Sequence, residues 1–505
     1  MTTNTAKGKK RIELGDWQTP PDLAEKTCRL LLDAGVSPAS IIEPTCGKGN
    51  FLFAAMEIFP SAKQCFGLDI SGEYLPEVLR KIEPFKKHLA ATITQGDFFS
   101  FDWQKQIESM PDPVLVIGNP PWVTNSGIGS LEGKNLPKKS NFQNMKGLDA
   151  VTGKSNFDIS EWMIINMLQH LKTRQACLAM LCKTAVARKI LLYSWKNGIP
   201  LEQCSIYKID SRQHFNVAVD ACFFVVRLGQ KKPILNCRIY EELTPNSPCR
   251  LAALGSNRII SDMVLYEKWK HLITNQGEPF KWRSGIKHDC VKVMELKKAG
   301  NYFLNGLGEQ VELEDDYLFP MLKSSDLANG EIETINRYML VPQRFIGEQT
   351  NIIKQNTPKT WGYLQKHVDL LDKRTSIIYQ NNPQFSIFGV GDYAFADFKI
   401  AISGFYKNIR FRLISPYNGK PVVLDDTCYF LSCCSEQQAV VLYEILSSET
   451  AREFFSAYIW WDSKRPITLE LLNMLSITKL ADVCGKNTLL ESLCENTSQH
   501  QLTMF

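Results

Sequence analysis

The 505-residue chain holds 58 Lys and Arg against 53 Asp and Glu, a net charge of +5, with 44% hydrophobic and 22% charged residues. That balance belongs to soluble globular proteins, and the length exceeds what one hydrophobic core serves, so two or three domains are expected. It argues against a membrane protein, since no apolar run approaches the roughly 18 residues that a spanning helix needs, and the 15 cysteines and 7 histidines form no paired CxxC or HExxH-like cluster that would hold a metal.

In chain order, MTTNTAKGKKR has basic residues with no apolar stretch behind them, which reads as a short flexible lead and not a secretory signal. Short apolar runs then alternate with helical patterns. Strands are expected over 40–43, 64–69, 91–95, 114–118, 177–182, 204–209 and 222–227, and helices over 21–34, 50–58, 74–85, 158–171 and 183–197. Such alternation predicts an α/β domain with a mostly parallel sheet, in which ligands bind where strand ends meet helix starts.

The first strand runs into Glu43-Pro44-Thr45-Cys46-Gly47-Lys48-Gly49-Asn50. Gly47 and Gly49 allow a tight turn and close approach of a ligand, and Glu43 stands where it could attract an ammonium group. Both the GK[ST] ending of a phosphate loop and the GxGxxG spacing of a dinucleotide site are missing. The second strand ends in Gly67-Leu68-Asp69-Ile70, where an acid is placed to accept ribose hydroxyls. The third ends in Gln95-Gly96-Asp97-Phe98; Asp97 could accept from an adenine amino group while Phe98 stacks on the ring. Each acid alone is an ordinary strand-end residue, but three at successive strand ends point to an adenosine ligand with a charged tail.

The fourth strand ends in Asn119-Pro120-Pro121-Trp122. Two prolines make this turn rigid and poor in donors, so the Asn119 side-chain oxygen and the Pro120 carbonyl can converge on one amino group, with Trp122 as a stacking face. Two acceptors on a conjugated amine favour a pyramidal nitrogen whose lone pair can attack a methyl sulfonium.

After Lys231 the strand–helix rhythm stops, and helical patterns return over 436–446 and 470–474. Residues 337–420 carry twelve Lys or Arg against five Asp or Glu, interleaved with aromatics such as Trp361, Tyr379, Phe388 and Phe405. That is either a surface for a phosphate backbone or a solvated basic face over an aromatic core.

These motifs resemble the amino-group DNA methyltransferases, and their order is similar to that of the gamma class of adenine-N6 enzymes. The likeness begins at Asp16-Trp17-Gln18-Thr19-Pro20 and takes in Glu43–Phe51, Asp69-Ile70, Asp97-Phe98, Asn119–Trp122 and His214-Phe215-Asn216-Val217. Looser likenesses follow at Met339–Glu348, at 393–400 and at 462–468. Trp122 stands where tyrosine or phenylalanine is commoner, and nothing is carried over between Asn156 and Trp162.

The resemblance implies a Rossmann-like S-adenosyl-L-methionine-dependent domain (15–235) after a flexible N-terminus (1–14). A mixed α+β target-recognition domain with C-terminal helices (236–505) would follow. Thr19, Glu43, Cys46, Gly47 and Gly49 would hold the methionine part, Asp69 the ribose, and Ile70, Asp97 and Phe98 the adenine. Asn119 and Pro120 would bind the target amine, with Trp122 and Phe215 against the base. The implied partner is double-stranded DNA, with a separately encoded restriction endonuclease in the same system, in the cytoplasm with its cysteines reduced. The rival readings are methylation of cytosine N4, of RNA guanine N2 or of a glutamine amide, or a nucleic-acid-binding protein with a vestigial pocket.

Overall fold

The computed structural model describes residues 17–123, 158–245, 247–255, 258–274 and 278–493. The expected flexible lead, Asp16 and Asn156 lie outside them. The chain forms two compact units that divide between Met263 and Val264.

The first unit is built on a ten-stranded sheet. Its strands are β1 (Ser40–Glu43), β2 (Gln64–Asp69), β3 (Ala90–Gln95), β4 (Val114–Gly118), β5 (Ala176–Lys183), β6 (Leu201–Ile209), β7 (Ala221–Leu228), β8 (Asn236–Tyr240), β9 (Cys249–Gly255) and β10 (Arg258–Ile260). The spatial order is β10-β9-β8-β6-β7-β5-β4-β1-β2-β3. From β3 to β5 all neighbours are parallel, and β1, β4 and β5 are buried almost throughout, as strands covered on both faces must be. The mostly parallel expectation stops there, because β7 runs antiparallel between β5 and β6. Residues 210–220, which join β6 to β7, are too short for the dozen or more residues that a parallel crossover takes.

The unit also runs past the boundary expected at 235/236. β8 pairs with β6 over Ser205–Tyr207 and Arg238–Tyr240, β9 pairs with β8 and β10 with β9, so the sheet runs to Ile260 and the unit to Met263.

The α-helices described in the unit include α1 (Pro21–Asp33), α2 (Asn50–Ile58), α3 (Leu75–Ile82), α4 (Trp103–Glu108), α5 (Ile159–Leu171), α6 (Thr184–Lys196) and α7 (Ser211–Phe215). α1 starts with proline in its first turn, where the missing N–H leaves nothing unpaired. Leu23, Leu31, Ile41, Phe51, Leu115, Leu181 and Phe223 belong to one buried cluster. The strand order reverses between β1 and β4, whose ends are in register through Ile42 and Val116. Side chains that leave those ends therefore enter the crevice where open α/β sheets take ligands.

The second unit carries a six-stranded and a four-stranded sheet of short, largely antiparallel strands. Helices Glu436–Leu446, Glu449–Ser456, Leu469–Leu472 and Ile477–Val483 follow. No described helix is long and apolar enough to cross a membrane.

Candidate active site

The segment before α1 lies along the glycine loop. The Lys48 N–H donates to Gln18 Oε1 at 3.0 Å, and Asn50 Nδ2 donates to the Thr19 carbonyl at 2.7 Å. Thr19 is buried. Gly47 and Gly49 have φ of +49° and +75°, in the left-handed region that glycine tolerates best. A Cβ on Gly47 would stand 2.6 Å from the Gln18 amide. Within the loop the Cys46 N–H bonds the Leu68 carbonyl at 2.8 Å, and burial pushes the Cys46 thiol well above its ordinary range, so it stays protonated.

Glu43 is buried at the end of β1, where Oε2 accepts from the Leu52 N–H at 3.0 Å in the first turn of α2. Burial raises its carboxyl well above the usual range, with the nearby Asp69 adding to the shift and the Leu52 bond opposing it. Asp69 accepts from the Gly47 N–H at 2.7 Å and the Ser71 N–H at 2.8 Å, so this acid joins the tip of β2 to the glycine loop. Ile70, beside it, is 41% exposed. Asp97 Oδ1 accepts from the Phe99 N–H at 3.1 Å.

The Phe98 ring departs from its expected role. It is only 4% exposed and packs on Phe99, Trp103 and Trp162 at centroid distances of 5.6, 5.2 and 6.3 Å. Four aromatic side chains meeting in one place bury one another, which leaves little ring surface for a stacked adenine.

Asn119 stands where β4 ends. Its Nδ2 donates to the Trp17 carbonyl at 2.9 Å. Only the nitrogen of an amide donates, so this bond fixes which way the side chain faces. Among the described residues neither its buried Oδ1 nor the buried Thr45 hydroxyl in the glycine loop has a hydrogen-bond partner. Buried polar atoms are seldom left unpaired, since each costs about 1–3 kcal/mol.

Trp122 and Phe215 come together, with ring centroids 5.2 Å apart at 67°. They are 9% and 6% exposed. A planar base held between two parallel rings needs roughly 7 Å, two van der Waals contacts, so these rings stand closed against each other and do not form a sandwich. Phe215 ends α7, whose start is capped by Asp210 and whose end is set by Asn216 at φ +55°.

Sequence reasoning missed the partners of the turn. Lys183, at the end of β5, donates to the Trp122 carbonyl at 3.0 Å and pairs with buried Asp158 at 2.6 Å. A lone Lys and a lone Asp 25 residues apart carry no motif, and only the fold brings the tip of β5 to the start of α5.

The basic segment of the second unit is not a bare cationic face. Arg337, Lys359, Lys366 and Lys420 pair with Asp326, Glu312, Glu309 and Asp315, all from residues before the segment. Arg374 turns inward to the Leu371, His288 and Ser386 carbonyls, and Lys399 is fully buried. Arg344 stacks over Phe319 and Phe395 at 4.9 and 4.5 Å. No three His, Cys, Asp or Glu among the described residues are grouped to hold a metal, and every described cysteine is an unbridged thiol.

A sheet that is parallel from β3 to β5 with β7 antiparallel beside it, a glycine loop after β1 and acids at successive strand ends match the fold of the S-adenosyl-L-methionine-dependent methyltransferases. No family model matches the chain. It is 48% identical over 475 residues to the type II methyltransferase M.NspV of Nostoc sp. (strain ATCC 29411 / PCC 7524), a match spanning 94% of this chain and 98% of that protein. Among solved structures it is similar to the type IIL restriction-modification enzyme MmeI in complex with DNA. The TM-score is 0.54 and the identity 13%, over 90% of this chain and 64% of the MmeI chain. The chain belongs to the type II methyltransferases.

The cofactor of the class is S-adenosyl-L-methionine, and the residues present fit it. The loop at 45–49 offers a buried Thr45 hydroxyl that has no hydrogen-bond partner among the described residues. Glu43 is an acid whose ionised form a cationic ammonium would favour.

Proposed function

We propose that the chain is a site-specific DNA methyltransferase of a restriction–modification system, acting on N6 of an adenine flipped out of duplex DNA. The observation that carries this reading is the Asn119 amide oxygen: buried, without a partner among the described residues, and held in its orientation by the Trp17 carbonyl. An acceptor so placed lacks a donor, and an amino group supplies one. The Pro120 carbonyl would take its second hydrogen.

When bound, S-adenosyl-L-methionine supplies an electrophilic methyl on a sulfonium, which leaves as a neutral thioether. Asn119 and Pro120 hold both hydrogens of the amine, so its lone pair turns from the ring towards the methyl. The amine held by Asn119 and Pro120 would take that methyl, forming a C–N bond as the sulfonium C–S bond breaks, and its surplus proton would go to water. The base has to leave the helix, at a cost of roughly a few kcal/mol, and space for it opens when the Trp122 and Phe215 rings part. Asp69 and Ile70 would meet the ribose and adenine of the donor, and Glu43 its ammonium. The second unit would select the site through phosphate and base-edge contacts, and a separately encoded endonuclease would cut the same site when unmodified.

Asn119→Ala is expected to lower methyl transfer to duplex DNA at least about a hundredfold, with donor binding by calorimetry unchanged. Normal turnover in that variant would end the reading.

A further inference from the structure

We propose that Lys183, through its contacts with Trp122 and Asp158, is a positioning residue that sets the Asn119–Trp122 turn for methyl transfer. The inference rests on the amine-acceptor reading of that turn. Prolines at 120 and 121 have no N–H, so the turn cannot be pinned through backbone donors at those positions. It is held from outside at both ends. Asn119 Nδ2 ties its start to the Trp17 carbonyl at 2.9 Å. At its end the Trp122 carbonyl accepts from Lys183 Nζ at 3.0 Å, and the Trp122 indole N–H donates to the Leu181 carbonyl at 3.3 Å.

Lys183 leaves the tip of β5, the strand beside β4 in register through Gly118 and Met180. Its ammonium also lies 2.6 Å from Asp158 Oδ2, while Asp158 Oδ1 accepts from the Ser160 N–H at 3.1 Å and caps α5. The Ile159 N–H in turn donates to the Val123 carbonyl at 2.9 Å. One ammonium thus fixes three things against each other: a strand tip, a helix start and the end of the turn.

Asp158 is 4% exposed. A buried ion pair is weak as a source of net stability, and apolar residues of similar volume often serve as well. What such residues could not supply is a donor for the Trp122 carbonyl. The neighbouring pair Lys189–Glu161, 3.0 Å apart, likewise joins α6 to α5.

The test uses the full chain, unmethylated plasmid DNA and labelled donor. Lys183→Gln is expected to lower kcat by about ten- to a hundredfold, since a misplacement of about 1 Å reaches that size. Donor affinity should stay within about twofold, and Lys189→Gln should leave kcat unchanged. In an Asn119→Ser background the same Lys183 change should cost less than about threefold, because the group it positions has been altered.

An unchanged kcat in Lys183→Gln, equal losses in both backgrounds, or an equal loss of donor affinity would each overturn the proposal. Should Lys183→Gln not fold, Lys183→Arg decides. Its guanidinium keeps the pair with Asp158 but does not reproduce a compact ammonium against the carbonyl, so Tm should hold while kcat falls, and a wild-type kcat would overturn the clamp. Absence of methyl transfer by the unmodified chain would instead sink the reading beneath it.

Discussion

A fully buried carboxyl group works against folding whenever it is charged. The Glu43 carboxyl is raised in the folded chain, chiefly by burial, so the folded state binds its proton more tightly than the unfolded state does. Its contribution to stability is complete below the unfolded value near 4.5 and is lost as pH rises towards the raised folded value. Glu43→Gln keeps an acceptor for the Leu52 N–H and removes the charge. Its Tm should exceed that of the unmodified chain at pH 7 by about 2 °C or more, with the difference vanishing near pH 4.5. Donor should stabilise the variant less, since a bound ammonium favours the ionised acid; equal Tm values at both pH values would refute this.

At the same scale, the sequence made Asn119, Asp69 and the two glycines readable, because each sits next to an apolar run that must be a strand. It did not reveal that Phe98 is walled in by Trp103 and Trp162, or that Trp122 and Phe215 touch. Ring packing depends on neighbours that pattern alone does not supply.

Among the elements, the glycine loop is the most exposed to test. Gly47 combines a left-handed φ with a position where a Cβ would meet the Gln18 amide. Gly47→Ala should therefore both strain the backbone, by about 1–3 kcal/mol, and displace Gln18 from the Lys48 N–H. Donor affinity should fall by about tenfold or more with the far-ultraviolet spectrum unchanged, and wild-type affinity would show that the loop is not the cradle.

β1, β2, β4 and α2 were legible to the residue; Pro44 follows β1, Pro113 and Asn119 flank β4, and Gly49 precedes α2. The reversed direction of β7 was not read from its apolar pattern, which is the same in either direction. Strands of the second unit escaped for a different reason. Leu318–Leu322 contains Pro320, a residue that argues against a strand, yet it pairs with Arg337–Leu340.

At the scale of the whole molecule, several cations of 337–420 are committed to ion pairs within the second unit. The positive excess of 337–420 is largely cancelled by acids of 309–326, which the fold brings alongside. Lys420, bonded to the Asp315 side chain and the Leu318 carbonyl and set over the Phe319 ring, serves the fold. Lys420→Gln should lower Tm yet leave the slope of log affinity for DNA against log salt within about 0.5, whereas loss of one phosphate contact shifts that slope by about 0.9. A shift of that size would place Lys420 on the DNA.

The division into an α/β unit and a second unit was readable from the end of the strand–helix rhythm, but its position was not. β8 to β10 lack crossover helices and join the first sheet only through pairing.

Nucleoside analysis of DNA from cells that express the chain, compared with DNA from cells that do not, bears most directly on the role given to the turn after β4. N6-methyladenine is expected in the expressing cells and none when Asn119 is alanine. N4-methylcytosine in its place, or methylation that survives the Asn119 change, would contradict that role.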